Sequence, residues 1–336
     1  MAKFTTNITT SNQKAMEDNQ PRVSIGMPVY NGDRFLEEAL DSLLAQTFTD
    51  FELIVSDNSS IDRTQEICQA YAAKDKRIRY YRNKQNLGGA YNQNRVVELS
   101  CGEYFKWAHH DDVCAPDLLQ QCVEVLDRHP GVVVCYSQTV TINEHGEQIK
   151  KSSDALNLRS PKPHERFGQY HHLVRYGNKC HPIHGMMRTD ILKKTALVQS
   201  YPSSDLVLLG ELLLHGEFYE IPEYLFFKRD HPGTSVRSHR TYRERIAWYD
   251  PAKKGRLQLT KWKWFFAYLA AIERVQISWS EKVRCYIQMA KWVLWNWMFL
   301  LKDLMKAASW PVLQPFLNFE SGKQIEKTPK SVTSSQ

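Results

Sequence analysis

The chain has 336 residues, 42% of them hydrophobic and 24% charged, with a formal net charge of +7 and a mean hydropathy of −0.50. That balance excludes a disordered, a collagen-like and a polytopic membrane chain, and at roughly 100–200 residues per domain it allows one large domain with an appendage, or two domains. Seven cysteines, at 68, 101, 114, 122, 135, 180 and 285, form no C-x-x-C pair and no zinc-ligand spacing, which reads as buried thiols in a reducing compartment.

Residues 1–20 are polar and mixed in charge, with no apolar stretch behind a basic start. They read as a disordered tail rather than a secretory signal, so the expected location is cytoplasmic. Val23 to Met27 reads as a strand, and Phe35, Ala39, Leu40, Leu43 and Leu44 recur at helical spacing. Phe51 to Ser56 is a second strand, followed by the turn Asp57-Asn58-Ser59-Ser60, which can cap a helix starting near Arg63. Ile78 to Tyr81 is a third strand, Gly89 to Leu99 a helix, and Tyr104 to Ala108 a fourth strand. Pro116 to Arg128 reads as a helix with proline in its first turn, and Val132 to Tyr136 as a fifth strand. This alternation predicts an α/β fold with a mostly parallel, doubly wound sheet. Ligands bind such sheets beyond the carboxyl ends of the strands, which directs attention to the loops 28–31, 57–60, 82–89 and 109–112.

Asp111 and Asp112 follow the fourth strand directly. Two carboxylates there suit a hard cation such as Mg²⁺ beside a substrate phosphate, or simply an acidic turn ahead of a helix. Tyr30 and Asp57 close the first two strands: a ring can stack on a base and a carboxylate can accept its N–H, while a core tyrosine and an ordinary Asx turn are the bland alternatives. Asn86 to Ala90 could bring backbone N–H groups to a diphosphate, yet it lacks both G-x-G-x-x-G and the P-loop pattern, and a plain turn explains it equally well.

Taken in order, Pro28-Val29-Tyr30-Asn31, the segment Gln46 to Leu53, Ser56 to Thr64, Asn86 to Asn94, Gly102-Glu103-Tyr104 and Asp111-Asp112 through Asp117 closely resemble the family 2 glycosyltransferases of GT-A fold. Ser203 to Leu212, Gly216, Ile221-Pro222-Glu223 and Arg229 to Ser235 extend the resemblance, which covers about 21–238. It implies inverting transfer of a sugar from a nucleotide-diphosphate donor, first guessed as a UDP-sugar, to a hydroxyl of a cell-surface glycan or glycolipid precursor. By the same resemblance Pro28, Tyr30 and Asp57 belong to the nucleotide pocket, with Arg82 and Asn94 as further donor-pocket candidates. Asp111 is the expected ribose or diphosphate contact. Asp112, with His231, is the expected ligand of Mn²⁺ or Mg²⁺, and Asp205 is the expected general base. Two departures stand out. His109-His110 occupy a stretch where the family commonly places an acid, and a neutral imidazole compensates less charge than a carboxylate. Ser204 stands where a glutamate often precedes the base. His184 stays outside the catalytic set: it could line an acceptor pocket, and a satisfied structural histidine explains it as well.

Composition shifts near residue 245. From Pro251 to Trp310 there are eleven Lys and Arg against Glu273, Glu281 and Asp303, and eight of the nine tryptophans lie between 248 and 310. The expected division is therefore a catalytic domain at 21–244, a basic, Trp-rich helical region at 245–318 and a disordered tail at 319–336. The strongest apolar run, Trp292 to Leu301, covers roughly 15 Å as a helix, too short for the ~30 Å core of a bilayer. Packing on the domain and contact with the inner face of a membrane are the two readings of this region, the second suiting a lipid-linked acceptor. Nucleic-acid binding ranks below both. A catalytically silent nucleotide-sugar or glycan-binding module is the alternative to an enzyme.

Overall fold

The computed structural model describes residues 20–325 apart from 178 and 240, so most of both expected tails lies outside the described residues. Its elements in chain order are β1 (Val23–Val29), α1 (Asp33–Leu44), β2 (Phe51–Asp57), α2 (Thr64–Lys74), β3 (Ile78–Arg82), α3 (Gly89–Glu98), β4 (Tyr104–Trp107), β5 (Val113–Cys114), α4 (Leu118–Arg128), β6 (Val132–Ile142) and β7 (Gln148–Ser152). There follow α5 (Pro163–Leu173), β8 (Met186–Arg188), α6 (Thr189–Leu192), α7 (Ser204–His215), β9 (Glu217–Arg229), α8 (Ser235–Ser238), α9 (Tyr242–Tyr249), α10 (Thr260–Arg274) and α11 (Trp279–Ile325).

The strands run in the order β3-β2-β1-β4-β8-β6-β9-β5, with β7 on β6. The alternation read from the sequence yields the parallel part, where β2 pairs with β3 and β1 lies between β2 and β4. Beyond β4 the sheet is mixed: β8 runs antiparallel to β4 and β6, while β6 and β9 are parallel. The second half is thus built from long-range pairings that local periodicity does not encode. β6 continues to Ile142 and turns back into β7, extending the strand expected to end at Tyr136.

Every residue of β2 is buried, as a central strand covered on both faces requires. On one face Ile25 and Met27 pack with Leu36 and Leu40 of α1 and with Leu119 and Leu126 of α4. On the other, Val96 of α3 and Leu208 and Leu212 of α7 close over Phe105 and Trp107. A third cluster joins Phe167 of α5 and Val207 of α7 to Tyr268 and Ile272 of α10 and to Met289 and Trp292 of α11. The C-terminal helices therefore share a core with α7. The boundary expected at 245 falls inside α9, and α11 runs to Ile325, past the point where the second tail was expected.

Candidate functional site

The carboxyl ends of the parallel strands open into one cleft of ≈ 2390 Å³, lined among others by Pro28, Tyr30, Asp111, Asp112, Asp205 and His231. Its first wall is the pair of loops after β1 and β2, locked together by their own polar groups. Asn31 and Ser59 both adopt positive φ, 52° and 67°. The Asn31 N–H donates to Ser60 Oγ at 2.9 Å, the Ile61 N–H to Asn31 Oδ1 at 2.9 Å, and the Gly32 N–H to Thr64 Oγ1 at 2.9 Å. Strained backbone held this firmly is what a preformed ligand cradle needs. The Tyr30 ring is left 42% exposed at its rim, free to stack.

Asp57 and Arg82 lie behind this wall and not among the residues lining it. Asp57 is fully buried; its Oδ1 accepts the Ser60 N–H at 2.7 Å, and its Oδ2 accepts Tyr80 O–H at 2.8 Å and Arg82 Nη1 at 2.7 Å. Arg82 also donates to the Ser60 carbonyl at 2.8 Å. The pair is a brace under the loop. Asn94 is spent elsewhere, donating to Val198 O at 2.9 Å and accepting the Val198 N–H at 3.1 Å. Asn58 and Asn86, in loops that the sequence marks, and Asn92 of α3 line the cleft. Asn58 donates to Asn86 Oδ1 at 2.9 Å, and Asn92 donates to Ser56 O at 2.7 Å, so side-chain amides stitch the loops after β1, β2 and β3.

The acidic loop meets the first wall at Gly32, where an added Cβ would stand 2.6 Å from His110 Cδ2. Arg229, at the end of β9, fixes this loop: its N–H donates to Asp112 Oδ1 at 2.9 Å, its Nε to Asp111 O at 2.9 Å, and its Nη2 stands 2.6 Å from Glu38 Oε2. Asp112 Oδ2 thus turns to His109 Nδ1, 3.5 Å away. His184 joins them from the turn before β8, and the ligating atoms of His109, Asp112 and His184 all lie within 4.8 Å of one another. His184 Nδ1 is enclosed and has no hydrogen-bond partner, so the ring is not a satisfied structural histidine. Burial, helped by His109, Lys228 and Lys106, drives its pKa well below the ordinary value and keeps the imidazole neutral.

His231 faces Asp111 rather than Asp112. Its Nδ1 accepts the Gly233 N–H at 3.2 Å, which puts the ring proton on Nε2 for Asp111 Oδ2, 3.1 Å away. Burial opposes the Asp111 anion, yet His110, His109 and His231 together hold its carboxyl below the usual range.

The opposite wall carries Asp205 in the first turn of α7, behind Ser203 with its positive φ of 59°. Aromatic groups set this turn: the Ser203 N–H donates to Tyr249 Oη at 3.1 Å, Tyr170 and Tyr268 donate to Leu206 O at 2.7 and 3.2 Å, and Trp264 Nε1 donates to Pro202 O at 3.2 Å. Asp205 as a whole is half-buried, but its Oδ1 is enclosed without a partner. Burial raises its pKa, outweighing the backbone N–H groups of the helix start, Lys228 and His109, which pull the other way. A carboxylate short of partners and of raised basicity is equipped to take a proton. Between the two walls α9 lays Trp248 on the start of α3, close enough that a Cβ on Gly89 would meet the ring at 3.0 Å.

The profile of glycosyl transferase family 2 matches residues 24–194, half of the chain. An uncharacterized glycosyltransferase of Methanocaldococcus jannaschii is 31% identical over 137 residues, 40% of this chain and 47% of that relative, so the chain spans less than half of the relative's length. Among solved structures, S. aureus TarS 1-349 in complex with UDP-GlcNAc superposes with a TM-score of 0.54 at 17% identity, over 81% of this chain and 80% of that one. The mannosyltransferase PcManGT from Pyrobaculum calidifontis, in complex with GDP-Man and Mn²⁺, gives a TM-score of 0.50 at 16% identity, over 92% and 82%. Both likenesses concern the fold, and that fold is GT-A. With the profile covering β1 through α6, the chain belongs to glycosyl transferase family 2.

Proposed function

We propose that this glycosyltransferase moves a sugar, with inversion, from a nucleotide-diphosphate donor to an acceptor hydroxyl on a cell-surface glycan or glycolipid precursor. The observation that carries the reading is the Asp205 carboxylate, which lines the same cleft as the acidic loop and whose Oδ1 has no hydrogen-bond partner. In this reading the Tyr30 ring stacks on the base, and Asp57 with Arg82 keeps the loop beneath it in shape. Asp111, oriented by His231, meets the ribose or diphosphate. Asp205 takes the proton of the acceptor hydroxyl as that oxygen attacks the anomeric carbon from the face opposite the diphosphate. A Mn²⁺ or Mg²⁺ ion at Asp112, with His231 in reach of the diphosphate, would supply charge stabilisation for the leaving group. A UDP-sugar is the proposed donor, supported by the nucleotide sugar held by TarS in the same fold. Titration of UDP into the protein, with Mn²⁺ and then with chelator, tests it. Binding that strengthens with metal is expected, and no heat in either condition rules out a UDP-sugar donor.

The reading extends to a membrane-bound acceptor. No helix among the described residues is long and apolar enough to cross a membrane. On α11, however, Trp279, Val283, Ile287, Leu294, Trp297, Met298, Leu301, Leu304 and Met305 are all exposed, opposite the buried Met289 and Trp292. At ~100° per residue they fall within an arc of roughly 120° and run for about 40 Å. Arg284, Lys291 and Lys302 follow one edge of the stripe and are exposed. An apolar stripe of this length with cationic side chains along its edge favours an anionic lipid leaflet. Cosedimentation with vesicles containing phosphatidylglycerol should fall by more than about tenfold in the double variant Leu294→Glu, Leu301→Glu. Unchanged sedimentation, or a dimer in solution that the variant dissociates, overturns the membrane assignment.

A further inference from the structure

Around Asp112 this chain gathers two imidazoles. His109 comes from the loop after β4, Asp112 from three residues further on, and His184 from a turn more than seventy residues downstream, yet their ligating atoms lie within 4.8 Å of one another. Three ligands ~2.0–2.2 Å from one ion stand up to ~3.8 Å apart when spread evenly, so the set closes on a cation with side-chain shifts of up to about an ångström. Two features prepare it. Asp112 Oδ1 is pinned by the Arg229 N–H at 2.9 Å, which leaves Oδ2 facing His109. His184, 8% exposed, has an enclosed Nδ1 with no hydrogen bond. A buried imidazole without a partner is costly, and a metal ion is the partner that removes the cost. His231 has no such vacancy, since Gly233 and Asp111 occupy its two nitrogens.

We propose that His109, Asp112 and His184 form a two-imidazole, one-carboxylate cation site selecting Mn²⁺ and other transition metals over Mg²⁺. Mg²⁺ demands oxygen ligands and near-octahedral geometry, whereas imidazole suits the softer divalent ions. One carboxylate and two neutral rings leave the bound ion an excess positive charge, and the buried Lys106, which donates to the His184 carbonyl, adds to it. The ion is therefore held more tightly once a donor diphosphate supplies negative charge, a point that rests on the donor reading above. The selectivity itself does not.

The test is Mn²⁺ alone, followed through the paramagnetic resonance of the free ion in the absence of nucleotide, with Mg²⁺ as competitor. Wild type should bind Mn²⁺ and release little of it to a large excess of Mg²⁺. His184→Gln should bind Mn²⁺ more than about tenfold more weakly. His109→Asp, which restores the acid, should keep Mn²⁺ and let Mg²⁺ displace it, and its melting curve and Mn²⁺ binding show that the fold survives. Mn²⁺ affinity unchanged in both His184→Gln and His109→Gln, or Mg²⁺ competing on equal terms in wild type, overturns the site. UDP binding measured in chelator reports on the donor pocket separately, so loss of one reading is distinguishable from loss of the other.

Discussion

Asp205→Asn should lose transfer by about two to four orders of magnitude, the usual worth of a positioned general base, while binding UDP as wild type does and melting at a higher temperature at neutral pH. The three outcomes share one cause. Burial raises the pKa of Asp205 in the fold above its ordinary 3.8. A carboxyl whose folded pKa is raised contributes stability fully present below the unfolded value and lost as pH rises through the folded one. At neutral pH the ionised side chain is thus a net cost, which the neutral amide removes. Protonation of the same group should give wild-type transfer an acid limb displaced upward from the ordinary carboxylate range, absent from the residual activity of the amide. Turnover near wild type, or a lowered melting temperature with intact packing, would contradict the assignment of the base.

Asp112→Asn is expected to have the next largest effect, on metal-dependent donor binding. The amide oxygen keeps the acceptor for the Arg229 N–H, 2.9 Å away in the wild type, so the acidic loop should stay in place. What disappears is the negative charge facing His109 and His184. The strengthening of UDP binding by Mn²⁺ should shrink by about tenfold or more, with binding in chelator unaltered. Calorimetric titrations of the variant with and without Mn²⁺ decide it: an undiminished metal effect would remove Asp112 from the site.

Much of the donor side was legible in the sequence because it is local. Strand, turn and helix alternate at the pace of βαβ units from Val23 to Tyr136, and the rule that ligands meet the carboxyl ends of strands then selects loops without knowledge of packing. Tyr30, Asp111, Asp112 and Asp205 all reach the cleft. The remainder depends on contacts between distant segments. Asp57 and Arg82 close β2 and β3, at strand ends that suit ligand contact, but each is the other's partner beneath the loop. Asn94 finds Val198, 104 residues away. His184 could not be judged from spacing, because its missing partner is visible only once the turn before β8 is set beside the acidic loop. The mixed half of the sheet was hidden for the same reason: β6 is flanked by β8 and β9, which come 44 and more residues after it.

Helix α9 touches both walls of the cleft, with Trp248 against Gly89 at the start of α3 and Tyr249 Oη accepting the Ser203 N–H beside Asp205. Trp264 and Tyr268 of α10 complete the hold on the same turn. The basic C-terminal third is consequently no interchangeable module. A chimera that grafted the corresponding region of another family member at residue 245 would replace the side chains that aim Asp205 along with whatever surface they carry. Substitutions on the outer face of α11, where residues such as Leu294 are 71% exposed, are therefore expected to leave the turn at residues 202–206 in place, whereas changes to its inner face or to the aromatic groups around that turn reach Asp205.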